Sequence, residues 1–308
     1  MRHLILSMIV FLVAISSCGQ AIEPMSLAGE WSFRLDPKNE GADAKWCDAA
    51  CPETVKLPGS MDENGKGTPV TKMRVEYLTR LYEYMGPAWY QKEVTVPQEW
   101  AGKRIVLFLE RCHWETQVWV DGKLMGMQDS LCTPHIHDLS AALTPGPHKI
   151  TLRIDNSIKY SVGLNAHSIT EHTQTNWNGV VGRIELQATD PVWIESTQVF
   201  PRVADKSALI RVKIANMFKD TSKGRVTAAA CGKKAEKAFA AKPGETSEIE
   251  IPLVLGDEAR LWDEFSPNLI DLSVSLKASA SGKSFTDTRS LKFGLREVGK
   301  VGTQFAIN

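Results

Sequence analysis

The chain has no surplus of charge: its 36 Lys and Arg are balanced by 36 Asp and Glu. With neither an excess nor a run of basic residues, nothing electrostatic argues for nucleic acid as a partner. Past residue 20 no apolar run approaches bilayer-spanning length, so no internal transmembrane helix is expected. Cysteine is scarce, six in 308 residues, and the pair at 47 and 51 lacks the second paired cluster of a structural zinc site. His135 and His137 could share one face of a strand, but two histidines alone make a weak metal site. No metal and no cofactor are expected. Long helical patterns are missing as well, and so is the alternation of strands with helices that would build an α/β barrel.

The first residues are not read as fold. Arg2 and His3 form a short basic region, residues 4–14 are apolar but too short for a stable span, and Ile15-Ser16-Ser17 precedes Cys18. That pattern resembles a bacterial lipoprotein signal, residues 1–18, with Cys18 as the lipidated N-terminus; the alternative is an ordinary cleaved secretory signal. Either implies export, and the first places the protein in the periplasm or at the outer membrane, touching the membrane only through its lipid. An odd set of cysteines then remains, so at least one thiol stays free. A bridge between Cys47 and Cys51 is permitted but not required.

What the chain does have is tryptophan, nine against five Tyr and ten Phe, and dense β patterning. The organising stretch is residues 170–186. It opens polar, passes Trp177 among amides, is expected to turn on Asn178-Gly179, and closes as an alternating strand over 181–186. Amide, imidazole and carboxylate groups around a Trp suit a sugar, whose hydroxyls they bond while the ring covers its C–H face. The plainer alternative is a loop with a buried Trp and satisfied amides.

Before this stretch, Trp31, Phe33 and Leu35 alternate on an opening strand, and residues 39–50 are polar and small enough for a short helix. Residues 56–67 are rich in Gly, Pro and Asp and form a long loop of the kind that carries function. Strands follow over 89–96, 104–109 and 116–120. Asp121-Gly122 marks a hairpin with its return strand at 123–126. A loop with a helical turn spans 134–143, and a further strand 148–156. His113-Trp114-Glu115 is read as a buried join. After Pro191, strands at 192–194, 197–200, 208–214, 225–230, 248–253, 269–276 and 290–295 make about seven, the number of an immunoglobulin-like sandwich, although the Cys…Trp…Cys pattern of antibody domains is absent.

Five of these motifs, Gly29-Glu30-Trp31, Leu57-Pro58-Gly59-Ser60-Met61-Asp62, Trp89-Tyr90, Val118-Trp119-Val120-Asp121-Gly122 and Asn176-Trp177-Asn178-Gly179, resemble the sugar-binding jelly roll of glycoside hydrolase family 2. Leu261-Trp262, Ser266-Pro267-Asn268-Leu269 and Phe293-Gly294-Leu295-Arg296-Glu297 resemble its immunoglobulin-like domain. The resemblance implies an all-β chain: a galactose-binding-like jelly roll over 23–189, an immunoglobulin-like sandwich over 190–297, and at 298–308 the start of a (β/α)8 barrel. Both catalytic glutamates of the family belong to that barrel, and a retaining glycosidase needs its two carboxyls about 5–5.5 Å apart on rigid elements. No catalytic residue is therefore assigned here.

The resemblance further implies that the loop 165–179 helps close a sugar subsite in the barrel's mouth, with His167, Glu171, His172, Gln174, Asn176 and Trp177 as donors, acceptors and platform. Thr173 stands where some β-galactosidases carry an acidic residue that contacts sugar and a monovalent cation, which puts the cation site in doubt; Glu171 could substitute only if the loop is shifted. Tyr82, Glu83 and Tyr84 are expected to approach the same pocket, the alternative being that they merely pack on the sandwich. The expected role is the non-catalytic N-terminal part of an exported, β-galactosidase-like enzyme of carbohydrate metabolism. Its partners are a β-glycoside, the missing barrel and, as is common in the family, further copies of itself. A stand-alone carbohydrate-binding lipoprotein and a purely structural module are the alternatives.

Overall fold

A computed structural model describes residues 22–72, 75, 80–160, 162–163, 166, 169–170 and 176–308. Two compact units emerge, Ile22–Pro191 and Val192–Asn308. The first contains β1 (Met25–Ser26), β2 (Gly29–Leu35), β3 (Glu53–Leu57), β4 (Gly59–Ser60), β5 (Thr68–Pro69), β6 (Tyr82–Glu83) and β7 (Pro87–Val96). It continues through β8 (Arg104–Cys112), β9 (Glu115–Val120), β10 (Lys123–Asp129), β11 (His135–Asp138), β12 (Gly146–Asp155) and β13 (Gly179–Thr189). One sheet runs β10-β9-β12-β7-β2-β3; the other runs β1-β13-β8-β11 with β4 also on β13. Alternation puts Trp31 and Phe33 of β2 inside, where the Phe33 ring meets Tyr90 edge-on at 5.2 Å. Leu107 and Leu109 of β8 and Ile150, Leu152 and Ile154 of β12 fill the same core. This is the expected all-β sandwich.

The opposite face of the first sheet is covered too. Trp89 and Trp119 point away from the main core and pack under Trp46 and Cys47, with the Arg34 guanidinium 3.3 Å over the Trp46 ring. Residues 39–50 are not the short helix that composition allows but a series of turns. Their polar groups are claimed from outside the segment. The Asp36 carboxylate accepts from Glu40 N at 2.9 Å, Gly41 N at 3.0 Å and Trp89 Nε1 at 2.9 Å. Gln91 Nε2 donates to Trp46 O at 3.1 Å and Ala49 O at 2.9 Å. Carbonyls held by Gln91 are lost to a helical ladder.

Asp121 and Gly122 adopt φ of 49° and 79°, the left-handed pair of a tight hairpin between β9 and β10. His113 and Trp114 are buried, as a join should be. The expected loop at 134–143 is half strand: β11 pairs with β8 and turns both histidines inward, and only residues 139–143 make a helical turn. The described cysteines, Cys47 and Cys51 included, are free thiols.

The second unit holds β14 (Val192–Arg202), β15 (Ser207–Asn216), β16 (Ser222–Ala230), β17 (Lys233–Ala241), β18 (Thr246–Val254), β19 (Ile270–Ala280), β20 (Lys283–Phe293), β21 (Val298–Val301) and β22 (Gln304–Ile307). Its sheets are β14-β15-β18 and β17-β16-β19-β20. Seven strands form the sandwich, as expected, but the seven are composed differently. The separate strands expected at 192–194 and 197–200 are one, β14, kinked by a bulge between Ile194 and Ser196, and β17 was not expected. Residues 298–308, expected to open a barrel strand, form a hairpin: β21 pairs with β22, and Asn308 closes it by bonding Glu297.

Candidate functional site

The site forms where β13 begins. Gly179 has φ +133°, and a Cβ there would meet Gly59 O at 2.4 Å, so only glycine lets β13 and β4 lie this close. Asn178-Gly179 is therefore not a turn. The Asn178 side chain enters the interior instead: its Nδ2 donates to Gly86 O and Ile154 O, each at 3.0 Å, and its Oδ1 accepts the Tyr90 hydroxyl at 2.7 Å. Asn156 donates to Asn176 Oδ1 at 2.7 Å and to Tyr84 O at 2.9 Å while accepting from Gly86 N at 2.9 Å. Asn176 Nδ2 returns a bond to Asn156 O at 2.8 Å. Three asparagines thus knot together the loop before β7, the end of β12 and the start of β13.

Above this knot lies a cleft of about 350 Å³. Asn176, Trp177, Asn178 and Val181 form one side, Tyr82 and Tyr84 another, and Ser60, Met61, Asp62, Glu63 and Lys66 a third, with Arg80 and Arg111 completing the wall. The third side is self-supporting. Ser60 N donates to Glu63 Oε2 at 2.7 Å and Glu63 N to Ser60 Oγ at 3.2 Å, a reciprocal box. Asp62 Oδ1 accepts from both Leu81 N, at 2.9 Å, and Tyr82 N, at 2.6 Å, which fixes β6 against the 60–66 turn. Tyr84 gives its hydroxyl proton to Pro87 O at 2.7 Å, and burial pushes its phenol above the usual range. Trp177 is half-buried, its ring 5.7 Å from that of His113.

Of the residues singled out from sequence, Tyr82, Tyr84, Asn176 and Trp177 meet in this cleft. Glu83 pairs with Thr68 beside it and does not line it. Asn176 is fully buried, with its side-chain amide engaged by Asn156, so it holds the wall from behind. His167, Glu171, His172, Gln174 and Cys18 lie outside the described residues, as does Thr173. Sequence reasoning missed Asp62, Arg80 and Arg111. The loop signal over 56–67 points at Asp62, whereas nothing local marks Arg111, which comes from the end of a core strand. Among the described residues no group of three or more His, Cys, Asp or Glu could hold a metal ion. No described helix is long and apolar enough to cross a membrane.

His135 and His137 have another employment. His135 Nε2 donates to Ser130 O at 3.0 Å, since a carbonyl cannot, leaving Nδ1 to accept the Thr116 hydroxyl at 2.7 Å; Thr116 Oγ1 accepts in turn from His137 Nε2 at 2.9 Å. Burial holds both imidazoles below their ordinary pKa; for His137 burial and then the neighbouring His135 bring it to about 4.

Two descriptions of one known family match this chain. Residues 25–190 match the glycosyl hydrolases family 2 sugar binding domain, and residues 192–296 match the family's next domain, described as glycosyl hydrolases family 2. The chain belongs to glycosyl hydrolase family 2. Among its relatives, the β-glucuronidase of Paenibacillus borealis is 23% identical over 303 residues, covering 93% of this chain and 47% of the relative. That of Homo sapiens is 26% identical over 320 residues, with 93% and 46% covered. The Ruminococcus gnavus β-glucuronidase structure superposes with a TM-score of 0.67 at 19% identity, over 93% of this chain and 47% of that one. Its complex with D-glucuronic acid gives 0.66 at 20%, covering 93% and 48%. The chain spans about half the length of the relatives it matches.

Proposed function

We propose that this chain is the non-catalytic, sugar-facing part of a retaining O-glycosidase and that the cleft beside Trp177 is one wall of its sugar subsite. The observation that carries the proposal is the construction of the cleft. A half-buried indole and two tyrosines stand beside polar groups, on a wall locked by three buried asparagines. Such a surface offers an apolar face for sugar C–H groups without the entropic cost of ordering loose side chains on binding. Glu171, His172, Gln174 and His167 belong to the same proposal as further polar residues that contact the sugar.

The names of the relatives favour a β-glucuronide over a β-galactoside as the substrate of the whole enzyme, and the acid/base and nucleophile would come from its barrel. In solution this chain should release no nitrophenol from 4-nitrophenyl β-D-glucuronide, yet bind methyl β-D-glucuronide, with Trp177→Ala weakening that binding about tenfold. Turnover by the chain alone would overturn the proposal. Binding without any barrel partner in the organism would favour a stand-alone carbohydrate-binding lipoprotein. Export and lipidation at Cys18 complete the proposal; Cys18→Ala should move the protein from the membrane fraction to the soluble one, and unchanged membrane association would refute the anchor.

A further inference from the structure

We infer that Asp62 is the residue of the cleft that reads a sugar hydroxyl: one oxygen of its carboxylate holds the wall in shape, and the other accepts the hydroxyl's proton. The inference rests on the sugar subsite proposed above and adds a specificity-determining residue together with the direction of the bond it makes.

The two oxygens of this carboxylate have different employment. Oδ1 accepts from Leu81 N and Tyr82 N, whereas Oδ2 makes no hydrogen bond or ion pair among the described residues. A carboxylate offers about four lone-pair positions, so the pair on Oδ2 is left for what enters the cleft. The nearest lysine of the wall does not claim it: Lys66 turns to Glu53 at 2.7 Å. Glu63 is an open acceptor of the same kind, with Oε2 taking the Ser60 amide and, at 3.1 Å, the Ser60 hydroxyl while Oε1 is left over. It is exposed, however, and water competes for it; Asp62 is half-buried, where a hydrogen bond counts for more.

Anchoring makes that oxygen selective. A loose aspartate gives up rotamer freedom when it binds; this one gives it up on folding, because two backbone amides fix the carboxylate beforehand. The same Oδ1 sets the backbone of Tyr82, whose ring lies against Gly65, 3.7 Å from where a Cβ of that glycine would stand. Acceptor and aromatic ring are therefore held at one fixed offset. A pyranose presents the complement, hydroxyls at its rim and C–H groups on its face. A carboxylate accepts and does not donate, so the bond runs one way, from sugar to Asp62, and such charge-assisted bonds are about twice as strong as neutral ones.

The test titrates the 308-residue chain, followed by amide NMR shifts, with methyl β-D-glucuronide and its 2-, 3- and 4-deoxyfluoro analogues. Fluorine fills nearly the space of a hydroxyl but has no proton to donate. At least one analogue should bind about tenfold more weakly than the parent sugar. Asp62→Asn keeps an oxygen for the Leu81 and Tyr82 amides and puts an amide donor at the open position, so it should hold the melting temperature and shrink that gap to about twofold or less. If the variant is less stable, the gap measured within it still decides, because parent and analogue then meet the same wall. A full gap retained in Asp62→Asn, or no gap for any analogue in the unaltered chain, overturns the inference and leaves the sugar subsite standing. Absence of binding by every sugar overturns both.

Discussion

The two units handle polar groups in opposite ways. The second has a core of aliphatic and Phe side chains in which the only buried polar residues are Asn216 and Ser222. The first buries Asp36, Gln91, Thr116, His135, His137, Arg153, Asp155, Asn156, Asn176 and Asn178 among others. Each buried polar group costs desolvation unless fully bonded, so a sandwich that only has to stand up does better without them. The polar groups of the first unit concentrate where strands stop and loops begin: under the 39–50 segment, beneath the cleft, and between β9 and β11. Apolar packing holds a sheet, but it does not fix where a loop sits; directional bonds do.

The contrast can be broken at its strongest point. Asn178→Ala removes bonds to Gly86, Ile154 and Tyr90 and leaves their buried partners unsatisfied. It should cost about 3–5 kcal/mol in urea unfolding followed by Trp fluorescence, which reports mostly on the first unit, since only Trp193 and Trp262 lie in the second. A loss under about 1 kcal/mol would mean that the knot is not structural.

Acid should separate the units next. His137 is neutral in the fold, with its pKa at about 4, below the ordinary 6.5. The unfolded chain therefore binds a proton that the fold does not. Its contribution is complete above pH 6.5 and is lost as pH falls from there toward 4, roughly 3 kcal/mol in all. His135, shifted in the same direction, adds to it. Replacing both with Gln should flatten the acid limb of the Trp-detected stability profile, and an unchanged limb would place the acid sensitivity elsewhere. The smallest effect belongs to the apolar core of the second unit. Ile210→Val deletes one methylene from a fully buried site and should cost about 1 kcal/mol, independent of pH between 4 and 7. A pH-dependent cost, read from β15 amide exchange, would show that the core is not purely apolar in its behaviour.

The strands were legible wherever alternation or turn chemistry was local, as at Trp31 and Phe33 or Asp121-Gly122. β17 was not, because Lys-Lys-Ala-Glu-Lys-Ala-Phe-Ala-Ala has the composition of a helix; its strand form comes from pairing along its whole length with β16. Of the cleft, Trp177, Asn176, Tyr82 and Tyr84 could be named because the resemblance pointed to their loops. Asn178-Gly179 misled because the same dipeptide serves a tight turn and a close strand approach, and only the partner, Gly59, distinguishes them. Arg111 left no trace in sequence. Its exposure depends on a bulge in β13 and on Arg183 occupying Glu110, both long-range facts.

Asp62 carries one more consequence. A single carboxylate oxygen clasps the chain again at Leu81 and Tyr82, so the segment between is a closed ring whose ends are set by one atom. Closing such a ring becomes only slightly harder as it lengthens, about 0.6 kcal/mol for each doubling. A change in the length of chain between the clasp points should therefore cost little folding free energy while Tyr82 keeps its place.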